Sequence, residues 1–265
     1  MRRLALLAAV LCAACAHAPG LQLRQPVVLL GEVHDNAAQH ALRLQAFQAL
    51  LDGGARPALA MEQLDRDKQP ALDAVRAAPS PTPDAVIAAA GGPAWNWAFY
   101  RPFIALALQH GLPIVAANVP RDEARRVMKD GLAASGFDPA VPAAVLQSHT
   151  ADIEASHCGM LDAATAGRMA LAQVARDQFM ARVLQQHAQR GVVLLAGNGH
   201  VRTDVGAPLW LTPAVRQRSE AIGVLESGDS QSAFDRRVFT AAQARPDPCE
   251  RMRRPAPPQN PEMRR

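Results

Sequence analysis

Two apolar runs of this sequence end in the same way. Val27–Leu30 leads into Gly31-Glu32-Val33-His34, and Val192–Ala196 leads into Gly197-Asn198-Gly199-His200. The same strand-like run followed by Gly-x-x-His therefore occurs twice, about 166 residues apart. Glu32 sits inside the first turn, and Glu62 follows a third short apolar run, Ala58–Met61. Two imidazoles with one or two carboxylates can hold a divalent transition metal as a two-His, one-carboxylate set. Glu32, His34, Glu62 and His200 can equally supply a general base and an electrostatic clamp for hydrolysis. The plainer alternative is that each His closes hydrogen bonds at a strand end. The duplication favours a functional site.

Residues so distant in sequence can share a site only if the chain gathers its strand ends. Candidate strands are Val27–Leu30, Ala58–Met61, Pro113–Ala117, Val192–Ala196 and Ile222–Leu225. Helical patterns run between them: His40–Leu51 with Asp35 or Asn36 as N-cap, Trp97–His110, and Leu161–Arg190. Apolar strands alternating with helices predict an α/β fold with a mostly parallel or mixed central sheet covered on both faces. The carboxyl ends of such strands lie along one edge, where ligands bind. His34, His200, Glu32, Glu62, Asn118 and Arg121 are expected to meet there. A glycine at each strand exit is expected to supply the unusual backbone of a sharp turn. Residues 65–92 and 121–157 read as helical or loop insertions, and about 121–170 is expected to form a lid over the sheet.

The ends differ in kind from the body. Residues 1–14 carry Arg2 and Arg3, then an apolar stretch closing on Ala13-Ala14-Cys15. This reads as a lipoprotein signal peptide with Cys15 as the lipidated first residue, and it is too short to span a bilayer permanently. An exported, membrane-anchored lipoprotein of a bacterial envelope is expected, on the outer rather than the inner membrane. The tail, 243–265, is rich in Arg and Pro and is expected to be disordered, leaving an α/β domain over 19–242. The net charge of +4 is concentrated at these ends. Without Arg2, Arg3 and the six Arg and three acidic residues of 245–265, the body carries −1, so a nucleic-acid partner is not expected. Beyond Cys12 and Cys15 the chain has only Cys158 and Cys249, and their spacing leaves open whether they pair. The sequence has no H-E-x-x-H, G-x-S-x-G, Walker or G-x-G-x-x-G motif, which makes zincin, serine-hydrolase, ATP and NAD chemistry poor readings.

Several blocks, in order, carry a family resemblance: GEVHDNAAQH, AMEQL, WAFYRPFIALALQHGLPIVAANVPR, SHCGM, the helix around Ala172-Gln173 and Arg176-Asp177, and AGNGHVRTDVGAPLWL. Over about residues 26–211 the chain resembles the ChaN family of haem-binding lipoproteins, linked to bacterial iron uptake. The wider superfamily includes Tiki and TraB proteins, marked by paired Gly-x-x-His motifs with an acidic residue, and erythromycin-esterase-like hydrolases. The resemblance implies haem binding or, alternatively, metal-dependent hydrolysis. A porphyrin needs an apolar slot, an axial ligand and cations near its propionates. Tyr100, the only Tyr, sits among Trp95, Trp97, Phe99 and Phe103 beside Arg101 and is the expected ligand. His149 and His157 are alternatives. Arg121 and Arg202, with Asn118 and Arg101, are expected to meet an anionic substrate or the propionates. A porphyrin face left open implies a haem-linked homodimer.

Overall fold

Five short segments become strands because their residues can be buried largely on both faces at once, and a sixth, half-exposed, closes one edge. The computed structural model describes residues 20–253. In chain order the elements are β1 (Val27–Leu30), α1 (Ala37–Asp52), β2 (Ala58–Asp65), α2 (Gln69–Arg76), α3 (Pro83–Ala90), α4 (Trp97–Gln109) and β3 (Ile114–Asn118). There follow α5 (Arg121–Asp130), α6 (Ala143–Ser156), α7 (Ala163–His187), β4 (Val192–Leu195) and the single-turn helices α8 (Asn198–Val201) and α9 (Pro213–Arg216). The last are β5 (Ser219–Glu226), β6 (Arg236–Thr240) and α10 (Pro248–Arg253). The strands form one sheet in the order β3-β2-β4-β1-β5-β6, and every pairing is parallel. The two VVLL runs are direct neighbours, Val27 to Leu30 in register with Val192 to Leu195. Both Gly-x-x-His turns therefore leave the sheet side by side.

Alternate side chains of each strand enter different cores. Val28 and Leu30, with Leu59 and Met61, pack on Phe47 and Leu51 of α1 and on Phe103 and Ile104 of α4. Val27 and Leu29, with Ala58 and Ala60, pack on Met180, Ala181 and Leu184 of α7. The same alternation aims Glu62, within β2, at the α7 face and, continued past β1, aims Glu32 at the α1–α4 face. Asn36 caps α1 by accepting from the Gln39 amide, which fixes the first turn against β1. The insertion takes the form of α5, a 3₁₀ turn at Ala133–Ser135, and α6, which returns antiparallel on α7.

Two expectations change. The sheet has a sixth strand, β6, at its edge. The near part of the tail is tied to the body, Arg245 pairing with Asp35 and Glu226 and Cys249 bonding to Cys158. Residues 1–14 and Cys15 lie outside the described residues, as do 254–265. Among the described residues no helix is long and apolar enough to cross a membrane.

Candidate functional site

Glu32 leaves β1 into a closed polar nest beneath α1 and α4. Its side chain is fully buried and forms an ion pair with Arg43, which is also fully buried. Arg43 also donates to the Leu30 carbonyl at 3.1 Å. Glu32 Oε1 accepts from the Tyr100 hydroxyl at 2.5 Å and lies 2.8 Å from His34 Nδ1. A carboxylate only accepts, so the His34 proton belongs on Nδ1 and the Nε2 lone pair remains available. His34 is the member of this nest that reaches solvent, with 47% of its side chain exposed. Burial pulls the Arg43 pKa down to about 9, with the Tyr100 and Glu62 sites opposing it, so the guanidinium still carries charge at neutral pH. Burial likewise pushes the Tyr100 hydroxyl well above the usual phenol range, offset only in part by Arg43. His40 stacks on Phe99, edges onto Tyr100 and meets the His34 carbonyl at 3.0 Å through Nε2.

Glu62 serves the opposite face. Its Oε2 accepts from the Gly197 amide at 2.7 Å, and its Oε1 lies 3.6 Å from His200 Nε2. His200 Nδ1 meets Oδ1 of the buried Asp177 at 2.6 Å, and His149 Nε2 stands 3.4 Å from the other oxygen. Burial would lower the His200 pKa, but the carboxylates of Asp177 and Glu62 outweigh it and hold the imidazole above its ordinary value. The result is a row of groups, Glu62–His200–Asp177–His149, running from β2 to α6.

The two turns interlock through their glycines. A Cβ on Gly31 would lie 2.2 Å from Asn198 Oδ1, and one on Gly197 would lie 2.8 Å from the His34 ring. Each turn thus makes room for a side chain of the other. Gly197 has φ −61° and Gly31 is not among the positive-φ glycines, so close approach rather than special backbone requires them. Asn198 completes the joint: its amide pairs with both backbone groups of Val224 in β5 at 2.7 and 3.2 Å. Above the joint lies a cleft of about 620 Å³, walled by Glu32–His34 and Gly197–His200 on one side and by His149, Asp152, Ile153 and Ser156 of α6 on the other.

Of the residues expected here, His34, His200, Glu32 and Glu62 gather around the two turns. They do not form one metal cage. Among the described residues no three of His, Cys, Asp and Glu are grouped to hold a metal ion. Glu32 and Glu62 leave the sheet on opposite faces, and each is already committed to its own donors. Asn118 ends β3, an edge strand three places from β1, and Arg121 opens α5; neither lines the cleft, and Asn118 Oδ1 accepts from the Val119 amide. Arg101 is exposed and forked to Asp84, and Arg202 is held by Asp204, Asp152 and Ser148. Tyr100 is not presented to the cleft, since its oxygen is buried on Glu32. His157 turns back to the Ile153 carbonyl.

A family profile described as "Haem-binding uptake, Tiki superfamily, ChaN" matches residues 22–211. The chain belongs to the ChaN family. The fold is shared with the ChaN protein of Campylobacter jejuni, a structure described as showing cofacial heme binding, at 23% identity and TM-score 0.66, over 78% of this chain and 84% of that one. A mutant of the erythromycin esterase EreC in its open conformation is more distant, at 13% identity and TM-score 0.45 over 77% and 71% of the two chains. No curated protein matches the chain.

Within this ChaN-family chain, one half-exposed imidazole of the cleft is held in a fixed orientation. His34 lines the cleft with its ring oriented by Glu32 and its Cε1–Nε2 edge beside Gly197, and Trp95 meets that ring edge-on at 5.0 Å. Arg43, Asp177 and Asn198 were not identified as site residues from sequence. Arg43 and Asp177 lie on the inward stripes of α1 and α7, where a charged residue among apolar neighbours is the available signal.

Proposed function

We propose that this protein binds haem for uptake, with His34 as the axial donor at the mouth of the strand-end cleft. His34 itself carries the reading: a half-exposed imidazole lining the cleft, whose Nδ1 is fixed on a buried carboxylate, so that Nε2 is the ring nitrogen left to ligate. That is how proteins orient a His that ligates a metal. Membership of a haem-binding uptake family supports it. Haem iron takes such a nitrogen axially, and the porphyrin packs on apolar and aromatic surface. Trp95, half-buried beside His34, offers such surface. One axial donor leaves a porphyrin face open, which supports a haem-linked homodimer. The leader supports export and lipid anchoring at Cys15, on the outer membrane of a bacterial envelope. Haemin titrated into the purified chain should give a saturable, shifted Soret band. A spectrum that stays that of free haemin overturns the proposal.

One observation favours a second reading, hydrolysis without a metal cage. His200 is held by Asp177 with its other nitrogen toward Glu62, the arrangement of an oriented general base. Turnover of ester or amide substrates that His200→Gln abolishes, with haemin affinity intact, would establish it; no turnover by the parent chain dismisses it.

A further inference from the structure

The outer wall of the cleft is a helical hairpin with few ties to the sheet. The start of α6 is anchored where Val145 joins Val119, Val174 and Val205 in one buried cluster. Farther along, Ile153 packs with Ala166 and Ala170 of α7 in a small cluster separate from the cores on the sheet. Arg202 adds an exposed bridge to Asp152. The tip between α6 and α7 carries Cys158 in the left-handed region, φ +60°, where non-glycine residues are uncommon and persist when their surroundings fix them.

The chain after β6 reaches that tip from the opposite rim. The Ala241 carbonyl accepts from Asn36 Nδ2 at 3.2 Å, and the Gln243 amide donates to Glu226. Arg245 then forks onto Asp35 at 2.6 and 2.7 Å and onto Glu226 at 2.7 and 2.8 Å. Four residues on, Cys249 is bonded to Cys158. One end of this segment is thus fixed beside His34, on the inner wall. The other is fixed two residues beyond Ser156, on the outer wall.

We infer that residues 241–249 form a strap joining the two rims of the cleft, and that a dithiol reductant releases the hairpin by opening the Cys158–Cys249 disulfide. The exchange balances: the dithiol gives two electrons and two protons, becomes a disulfide, and leaves Cys158 and Cys249 as thiols. Cysteine residues otherwise placed at a loop tip and in a polar tail thereby control access to the cleft, whatever ligand enters it.

The test is amide hydrogen exchange on the full chain, with and without dithiothreitol, for Cys249→Ser, and for Arg245→Ala, which frees the other end of the strap. Reduction should raise exchange over Ala143–Leu161 by ~10-fold or more while α4 and the central strands stay unchanged. Cys249→Ser should show the fast pattern without reductant, and Arg245→Ala should show it with the disulfide intact. Unchanged exchange in the hairpin would overturn the strap. So would a uniform rise across the molecule, which marks general destabilisation, and so would an Arg245→Ala profile like that of the parent.

Discussion

Glu32 is buried among Arg43, Tyr100, His34 and His40, so its substitution has two separate consequences. Glu32→Gln leaves Arg43 buried beside a neutral amide, and urea unfolding should register a loss of about 3–5 kcal/mol. It also replaces an acceptor-only carboxylate with an amide that can donate as well as accept, so the His34 tautomer is no longer fixed and haem affinity should fall even at temperatures where the variant is fully folded. Arg43→Met should cost about as much, because it leaves the buried Glu32 carboxylate without its cation. His200 and His40 should respond to pH with opposite signs. His200 has a raised pKa, so its stabilisation is full below its unfolded value of about 6.5 and is lost as pH rises through the folded value. His40 is lowered by burial, so its contribution is full above about 6.5 and is lost as pH falls through its folded value. Urea midpoints between about pH 5 and pH 8 should show His200→Asn losing most at the acidic end and His40→Asn most at the alkaline end. Parallel curves for the two variants would mean that neither environment acts as described.

At the scale of elements, the pair of Gly-x-x-His turns depends on two strands in register and two glycines without side chains. Gly197→Ala places a methyl group into the His34 ring, so the ring must leave its seat or the turn must shift. Overpacking of this kind costs about 1–3 kcal/mol. The His34 imidazole resonances should move far more than those of His200, and equal shifts would show that the turn, not the contact, gave way. The paired motif was legible because β1 and β4 are buried on both faces, which leaves continuous apolar runs that composition alone can mark. β6 was not legible: Arg236-Arg-Val-Phe-Thr240 is a half-exposed edge strand whose charges conceal it. The carboxylates were legible as site residues, but not their division between two faces, which follows from side-chain alternation only once the strand ends are known. The role of the glycines was misread for a similar reason, since close approach is a property of the pairing and leaves no local mark. Asp177 lies inside a 25-residue helix, where one acid gives no sign of the histidines it will meet.

At the scale of the whole molecule, an α/β body presents an oriented imidazole at the edge of its sheet, beneath a helical hairpin, and the proposed lipid anchor would carry it to a membrane. Cys15→Ser should accumulate as an unprocessed precursor; processing and membrane fractionation like the parent would dismiss the lipid anchor. Sedimentation should show mass doubling with haemin and not without it. The most direct test of the central claim is a Soret titration comparing the parent chain with His34→Ala and Tyr100→Phe. With His34 as the donor, His34→Ala should weaken haemin binding by ~10-fold or more, about 1.4 kcal/mol, and alter the bound spectrum. Tyr100→Phe, which loses only a buried hydrogen bond to Glu32, should keep the parent's spectrum. The account is contradicted if His34→Ala binds like the parent while Tyr100→Phe loses the band.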